Sequence, residues 1–351
     1  MCRPATRPRS RWRSSPMDRD AQHALTSLHA TLPDTLSQEA RHYAEGSRAH
    51  STQRAYATDF RLFAQWCAIR QRLALPAEPQ TIANYLAELA RTKKPSTIEK
   101  KLAAISVAHQ LAGYVDGENP ARHGVVRAIM RSIRREHGTR PKKKEALLAE
   151  SIRRVIGAIT QELEAGPAWR RMSALRDRAL LLIGFAGGFR RSELVALEIQ
   201  DVAWYPQGIR LTIRRSKTDQ EGAGRDVPIR YGEHEETCPV RALRVWLEAA
   251  RIDRGPLFVA VAKGGQHLGF RRLAGEAVAA IVKRRVRAVG LDPEDFAGHS
   301  LRAGFATTAF SQGASELEVM EITGHTSLAT LREYLRAGRL WNNTAGAKLG
   351  L

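Results

Sequence analysis

Cysteine is scarce in this chain of 351 residues. Cys2, Cys67 and Cys238 are its three, far apart and odd in number. No C-x-x-C pair is present, so neither a zinc site built on cysteine pairs nor a dithiol redox centre is expected. Such usage fits a reducing compartment, and a cytoplasmic protein is expected. Long hydrophobic runs are missing too. A membrane-crossing helix needs about 20 apolar residues, and the longest apolar stretch, Ala179 to Phe189, is shorter and holds Gly184, Gly187 and Gly188. It reads as a buried core helix, and no membrane partner is expected. There is no P-loop glycine–lysine signature and no metal-ligand cluster, so the expected cofactors and metals are none. No repeat of solenoid length occurs.

Negative charge is also in short supply. Against 56 Lys and Arg stand 36 Asp and Glu, a net charge of +20 with His neutral. An excess of that size points to a polyanion, most often nucleic acid. Its placement is uneven. Residues 1–16 carry five arginines and no acid, and residues 131–144 carry seven basic residues and one glutamate, so the two stretches hold 11 of the 20 charges. Hydrophobic residues make up 43% of the chain, enough for a real core, and the length allows two domains. The segment 1–36 is read as basic and disordered. Its first sixteen residues resemble a transit peptide slightly, but a basic extension with Met17 as working start is the simpler reading.

The first folded block, 37–137, reads as all helix. "STQRAYATDFRLFAQWCAI" spaces Tyr56, Phe60, Phe63 and Cys67 at helical intervals, with Ser51 or Thr52 as the expected N-cap. "PQTIANYLAELAR" follows. "KPSTIEKKLAAISVAHQLAG" comes next, with Ser96 or Thr97 as cap and Gly113 as stop, then "NPARHGVVRAIMRSIRREHG". The outer faces are expected to carry Arg48, Arg54, Lys93, Lys94, Lys100 and Lys101. Singly each reads as a solvated cation. As a group near helix starts they point to phosphate contacts. Residues 138–146 read as a basic linker, with Lys142, Lys143 and Lys144 in a row. The second block, 147–342, reads as mainly helical with one small antiparallel sheet around "IRLTIR" and "RDVPI", and helices resuming at Pro239, Phe270, His299, Ser315 and Ser327.

Four short segments of that block combine. "GGFRRSEL" ends a buried helix at glycine and follows it with Arg190, which Glu193, one turn on, could brace. "RRSKTD" puts Lys217 at the end of a strand. "GHSLRAGFAT" sets His299 and Arg302 at i and i+3, on one helix face. "GHTSLATLREYL" places His325 nine positions before Tyr334. On one continuous helix that spacing would put the rings on opposite faces. A turn is expected instead, with Gly324 ending one helix and Ser327 capping the next. The two rings are then expected to converge only around a phosphate. Alone, each segment has an ordinary structural explanation. All four together, in this order, do not.

The second block resembles the catalytic domain of the tyrosine recombinase (phage integrase) family. Its "G-[LF]-R-x-S-E-L" box, hairpin Lys, H-x-x-R box and G-H followed nine residues on by Tyr match Arg190, Lys217, His299, Arg302, His325 and Tyr334, with Glu193 as the acidic partner. Phe189, where Leu is commoner, is the one mild departure. The first block resembles, more loosely, the family's helical, SAM-like core-binding domain in Cre-like and Xer-like recombinases. The resemblance implies a mainly α fold in two domains, the second helical with a small antiparallel sheet. It also implies site-specific DNA strand breakage and rejoining.

The implied chemistry suits these residues. Tyr334 would attack a DNA phosphodiester, giving a 3′-phosphotyrosine and a free 5′-hydroxyl. Tyr has a pKa of about 10 and needs help to lose its proton. Arg190 and Arg302 would clamp the non-bridging oxygens. Lys217 would act as general acid, His299 as general base, and His325 would hydrogen-bond a non-bridging oxygen. The implied partners are double-stranded DNA with an inverted-repeat recombination site and further copies of the chain, in a tetramer. The tail, 343–351, preceded by Trp341, is expected to dock on a neighbouring copy. Little room before Ser37 for an arm-binding domain favours a simple recombinase. Integration, excision, dimer resolution and transposition all remain compatible. A type IB topoisomerase and a non-catalytic relic are the competing readings. Arg271 or Arg272, on a helix after Phe270, is a candidate groove contact.

Overall fold

The computed structural model describes residues 37–39, 50–139, 144–216, 219, 222–262, 268–329, 331, 332 and 334. The expectations for residues 1–36 and for the tail fall outside them. The chain divides into two compact units, Met1–Pro141 and Lys142–Leu351.

In the first unit, α1 (His50–Ile69), α2 (Pro79–Ala90), α3 (Pro95–Leu111) and α4 (Gly124–His137) surround one apolar core. Phe63, Cys67, Ile82, Leu86, Ile98, Ile105 and Val126 are all fully buried in it. Phe63 packs on Tyr85 with ring centroids 5.1 Å apart. The helix starts differ from expectation. Proline opens both α2 and α3, after the extended N-caps Glu78 and Lys94. Its fixed φ and missing N–H suit the first helical position, so Ser96 and Thr97 lie inside α3 rather than capping it. Ser51 and Thr52 likewise lie inside α1. Gly113, at φ 92°, follows the C-cap of α3, as expected of its stop.

Lys101 does not lie on an outer face. It is buried on the same stripe as Ile98 and Ile105, and its Nζ donates to Asp59 of α1 at 2.8 Å. A buried ion pair roughly breaks even against its desolvation, while each buried Ile or Leu contributes about 1.5–3 kcal/mol. The apolar seam therefore holds α1 to α3, and the pair fixes their register.

The second unit runs α5 (Ala149–Ala165), α6 (Arg171–Ala186), α7 (Arg191–Ala196), β1 (Val202–Tyr205), β2 (Gly208–Ile213), β3 (Arg225–Arg230), α8 (Pro239–Ala250), β4 (Val259–Val261), β5 (Leu268–Arg272), α9 (Gly275–Arg287), α10 (Ser300–Ser311) and α11 (Glu316–Thr323). Helix α6 is the spine. Ala179, Leu180, Leu181 and Ile183 have no exposed surface, as befits a helix apolar all round. Strands β1, β2 and β3 form an antiparallel sheet in that order. Alternation turns Ile209, Leu211 and Ile213 of β2 and Val227 and Ile229 of β3 into the core.

Two expectations need correction. A second sheet, β4 with β5, joins the first. Phe270 lies on β5 and does not start a helix; Arg272 pairs with Val259 across the strands, and α9 begins only at Gly275. The catalytic unit also reaches back into the expected linker. Lys144 Nζ donates to the Glu294 carbonyl, Glu145 N to Asp295 O at 2.7 Å, and Leu147 N to Ser300 O at 2.9 Å. These bonds anchor the chain beside the start of α10.

A buried ionic knot joins three helices. The fully buried Asp177 of α6 accepts from Arg176 Nη2 at 2.7 Å, Arg284 Nη2 at 2.6 Å and Arg285 Nε at 2.7 Å. Arg285 also reaches Glu162 of α5. Burial alone would raise the Asp177 carboxyl, but the three guanidiniums outweigh it and hold it below its usual range. No helix among the described residues is long and apolar enough to cross a membrane.

Candidate active site

The site is assembled where α6, α7, β3, α10 and α11 meet. Helix α6 ends at Ala186, and the chain turns through Gly187 and Gly188. Gly188 has φ 55°, and a Cβ there would lie 2.9 Å from both Phe305 and Thr323, so only glycine fits. Phe189 then plugs the core, and Arg190 emerges in extended conformation as N-cap of α7. The fully buried Glu193 holds Arg190 twice. Its Oε1 accepts Arg190 Nη1 at 2.6 Å and its Oε2 accepts the Arg190 amide at 2.9 Å. Arg225, the first residue of β3, adds a second guanidinium, Nη2 to Oε2 at 3.0 Å. Burial would raise the Glu193 carboxyl. Hydrogen bonding and charge from Arg225, with the bonds from Arg190, instead keep it below the ordinary carboxylate range.

Arg302, on α10, has no exposed surface. Its Nη1 donates to Gly188 O at 2.9 Å and Thr323 O at 2.5 Å. Its Nε and Nη2 are buried without a hydrogen-bond partner among the described residues. Burial first, then the nearby Arg190, push its pKa down to about 10, so it stays charged at neutral pH. Two guanidinium edges buried this way are costly unless they meet an anion.

His299 is the N-cap residue of α10, and its Nε2 lies 2.6 Å from Tyr334 Oη. Gly324, in the left-handed region at φ 65°, ends α11, and the chain resumes helix at Leu328. His325 therefore sits on a turn, as expected. Its ring centroid is 5.9 Å from that of Tyr334. The two rings converge within this one chain. The reason lies in packing: Leu331 and Tyr334 pack against Ala306, Phe310 and Val319, which docks the last helix onto α10 and α11. His325 Nδ1 lies 2.7 Å from Thr323 Oγ1. Burial, Arg302, Arg190 and His299 together push the His325 pKa down to about 3, leaving a neutral ring.

Five of the expected catalytic side chains, with Glu193, thus gather in one place. Lys217 lies outside the described residues, on the connection between β2 and β3. Of the expected DNA contacts, Arg54, Lys93, Lys94, Lys100, Lys144 and Arg271 are exposed. Lys94 is the N-cap residue of α3, and Lys100 lies 3.5 Å from Asp59. Arg272 is engaged with Glu198 at 2.5 Å and projects from a strand, so neither it nor Arg271 is the helix-borne groove contact expected. Lys101 is buried, as described above. Arg48, Lys142 and Lys143 lie outside the described residues.

A model of the phage integrase family matches residues 145–339, and one of the phage integrase N-terminal SAM-like domain matches residues 41–112. The chain belongs to the phage integrase family, the tyrosine recombinases. It is 40% identical over 312 residues to an integrase/recombinase xerD homolog of Selenomonas ruminantium, covering 89% of each chain. It is 26% identical over 291 residues to the Cre recombinase of Escherichia phage P1, covering 79% of this chain and 81% of that one. Among solved structures, XerH recombinase in a post-cleavage complex with palindromic difH superposes with a TM-score of 0.59 at 19% identity, over 93% of this chain and 95% of that one. A lambda integrase dimer on a COC′ core site gives 0.54 at 17% identity, over 93% and 78%. The latter two establish the fold: a helical SAM-like domain and a catalytic domain with a small antiparallel sheet. The enzyme is a tyrosine recombinase, cleaving DNA for site-specific recombination.

Two residues of the recombinase's site were missed in sequence. Arg225 opens β3 and shares Glu193 with Arg190; eight residues beyond Lys217, it reads as one more surface arginine. A Cβ on Gly324 would meet its guanidinium at 3.0 Å, so Arg225 touches the α7 start and the His325 turn together. Thr323 reads as the polar end of a helix and is in fact fully buried. Its place two residues before His325 was the available signal.

Proposed function

We propose that the enzyme cuts and rejoins DNA through a covalent 3′-phosphotyrosine on Tyr334, with the nucleophile supplied in cis. The observation that carries this is the 2.6 Å approach of Tyr334 Oη to His299 Nε2 beside the buried Arg302 of the same chain. His299 takes the phenol proton as Oη attacks phosphorus. Arg190 and Arg302 neutralise the charge that grows on the non-bridging oxygens, and Arg302 meets them with its Nε and Nη2. His325, neutral, donates a hydrogen bond to the same oxygens. Lys217 protonates O5′ as the P–O5′ bond breaks. The tyrosyl ester conserves the energy of the phosphodiester, so the 5′-hydroxyl of a partner strand can attack it without ATP. No step calls for a metal ion.

Strand exchange between two duplexes needs four such sites, hence a tetramer on paired inverted-repeat sites. The tail, 343–351, is the tie we assign to the neighbouring copy. Segment 37–137 is the assigned core-binding grip on DNA, through Arg48, Arg54, Lys93, Lys94 and Lys100, and 138–143 the basic strap, with Lys142 and Lys143. Segment 144–342 is the catalytic body.

A nicked suicide duplex pool tests the reading. The wild-type chain is expected to form a covalent adduct at a defined site, recoverable by sequencing the trapped DNA, and to exchange strands between paired copies of that site. Tyr334→Phe should bind DNA and form no adduct. A surviving adduct removes Tyr334 as nucleophile. Relaxation of supercoils with no paired-site exchange would make the enzyme a topoisomerase instead.

A further inference from the structure

Thr323, the last residue of α11, has no exposed surface, and it faces the site with two groups. Its carbonyl oxygen accepts Arg302 Nη1 at 2.5 Å. Its hydroxyl oxygen lies 2.5 Å from Val319 O and 2.7 Å from His325 Nδ1. A hydroxyl has one proton to donate and can also accept, so these two contacts cannot both be donations from Thr323.

The choice fixes the His325 ring. A neutral imidazole carries one proton, on one nitrogen or the other. If the hydroxyl donates to the Val319 carbonyl, it must accept from Nδ1–H, and Nε2 is left with a lone pair. If the hydroxyl turns to Nδ1, the ring proton sits on Nε2. A lone pair repels an anionic phosphate oxygen; an N–H binds it. Burial and the charges of Arg302, Arg190 and His299 disfavour a second proton on the ring, with Glu193 opposing them. The bond given up is a helical hydroxyl-to-carbonyl back-bond, of modest value and replaceable by the one to Nδ1.

We propose that Thr323 is a positioning residue: with phosphate in the site its hydroxyl donates to His325 Nδ1, which puts the ring proton on Nε2 for the phosphate oxygen. This rests on the reading of His325 as a phosphate-binding group. Thr323 would thereby serve both oxygen-binding partners, Arg302 through its main chain and His325 through its side chain.

The experiment uses the full chain and the nicked duplex pool of randomised sequence. In the covalent adduct the phosphate is fixed in the site, and histidine ¹⁵N shifts read the tautomer there. His325 is expected to have a protonated Nε2 and a hydrogen-bonded, unprotonated Nδ1. Thr323→Val should slow single-turnover adduct formation about tenfold, the worth of one ordinary hydrogen bond, with DNA affinity unchanged. Thr323→Ser should restore the rate to within about twofold, since it keeps the donor. A protonated Nδ1 in the adduct overturns the proposal. So does a Thr323→Val rate equal to wild type, or a Thr323→Ser rate as low as that of Thr323→Val. Should Thr323→Val not fold, Thr323→Ser and the adduct spectrum decide. His325→Ala separates the two levels. If it cleaves at the wild-type rate, the phosphate role of His325 fails; if it is slow while Thr323→Val is not, only the role of Thr323 fails.

Discussion

Tyr334 Oη and His299 Nε2 stand 2.6 Å apart with both side chains on the same chain. The tyrosine reaches this position from the last described helix and the histidine from the start of α10. Their ring centroids are 6.2 Å apart and tilted by 45°. The half-buried Tyr334 packs with the Ala306, Phe310, Val319 and Leu331 cluster, which holds the phenol in place. Packing thus sets the phenol against the imidazole, the close approach that the proposed proton transfer needs.

His299→Ala removes the proposed proton acceptor from beside Tyr334 Oη. Single-turnover adduct formation should fall by about 10²–10⁴ near neutral pH. The residual rate should depend more steeply on pH than the wild-type rate, because hydroxide must then stand in for the lost base. A pH–rate series of both proteins checks this. A His299→Ala variant with the wild-type rate and profile would mean that the contact is packing alone.

Glu193→Gln tests the shared carboxylate. The substitution leaves Arg190 and Arg225 beside a neutral amide in a site where Glu193 is 1% exposed. Breaking a buried pair of this sort costs about 3–5 kcal/mol, seen as a lower melting temperature and a slower cleavage step. The pH sign is fixed by the lowered Glu193 carboxyl. Its stabilisation is complete above the unfolded value of about 4.5 and is lost as pH falls through the lower folded one. The wild-type stability curve should thus carry no Glu193 step above about pH 5. Such a step, absent in Glu193→Gln, would contradict the assignment.

The candidate site was legible because it is written in short boxes whose order survives any fold: Arg190, Glu193, His299, Arg302, His325 and Tyr334 stand out together by order and spacing, and the resemblance to the tyrosine recombinases supplied their expected roles. The turn at Gly324 was legible for the same reason. What was not legible depends on packing. Lys101 looked like surface charge, although Ile98, Lys101 and Ile105 share one helical stripe and that spacing was a signal. Thr323 and Arg225 acquire meaning only when α11 and β3 close on α7. The β4–β5 pair is short, and "LGFRR" has no alternation strong enough to separate it from a helix start.

His109 makes the first unit sensitive to acid. The ring has no exposed surface. Its Nε2 accepts the Ala77 amide at 2.9 Å and its Nδ1 pairs with Ile105 O at 2.8 Å, so both nitrogens are used by the neutral form. Burial lowers its pKa, opposed by the bond to Ile105. The folded unit thus binds fewer protons than the unfolded chain. Its stability is complete above the ordinary imidazole value of about 6.5 and is lost as pH falls through the lowered folded one. Hydrogen exchange of the α3 amides, corrected for intrinsic rates, should be faster at about pH 5 than at about pH 7.5. In His109→Gln that difference should shrink, on a baseline destabilised by about 1–3 kcal/mol. An unchanged pH difference would place the acid sensitivity elsewhere.

Lys101 and the pair Lys93 and Lys94 sit close in sequence and should behave oppositely. Lys93 and Lys94 are exposed at the start of α3, where backbone N–H groups and cations favour phosphate. Replacing both with Ala should weaken DNA binding uniformly across sequences and lower the slope of log affinity against log salt by about 0.9 per lost phosphate contact, with folding unchanged. Lys101→Ala should do the reverse. It leaves Asp59 buried beside only the more distant Lys100, which costs about 3–5 kcal/mol of stability. Its salt slope should match wild type at temperatures where it is folded. Salt titrations and melting curves of the two variants decide between surface and core. A lower salt slope in Lys101→Ala would return that lysine to the DNA-binding face.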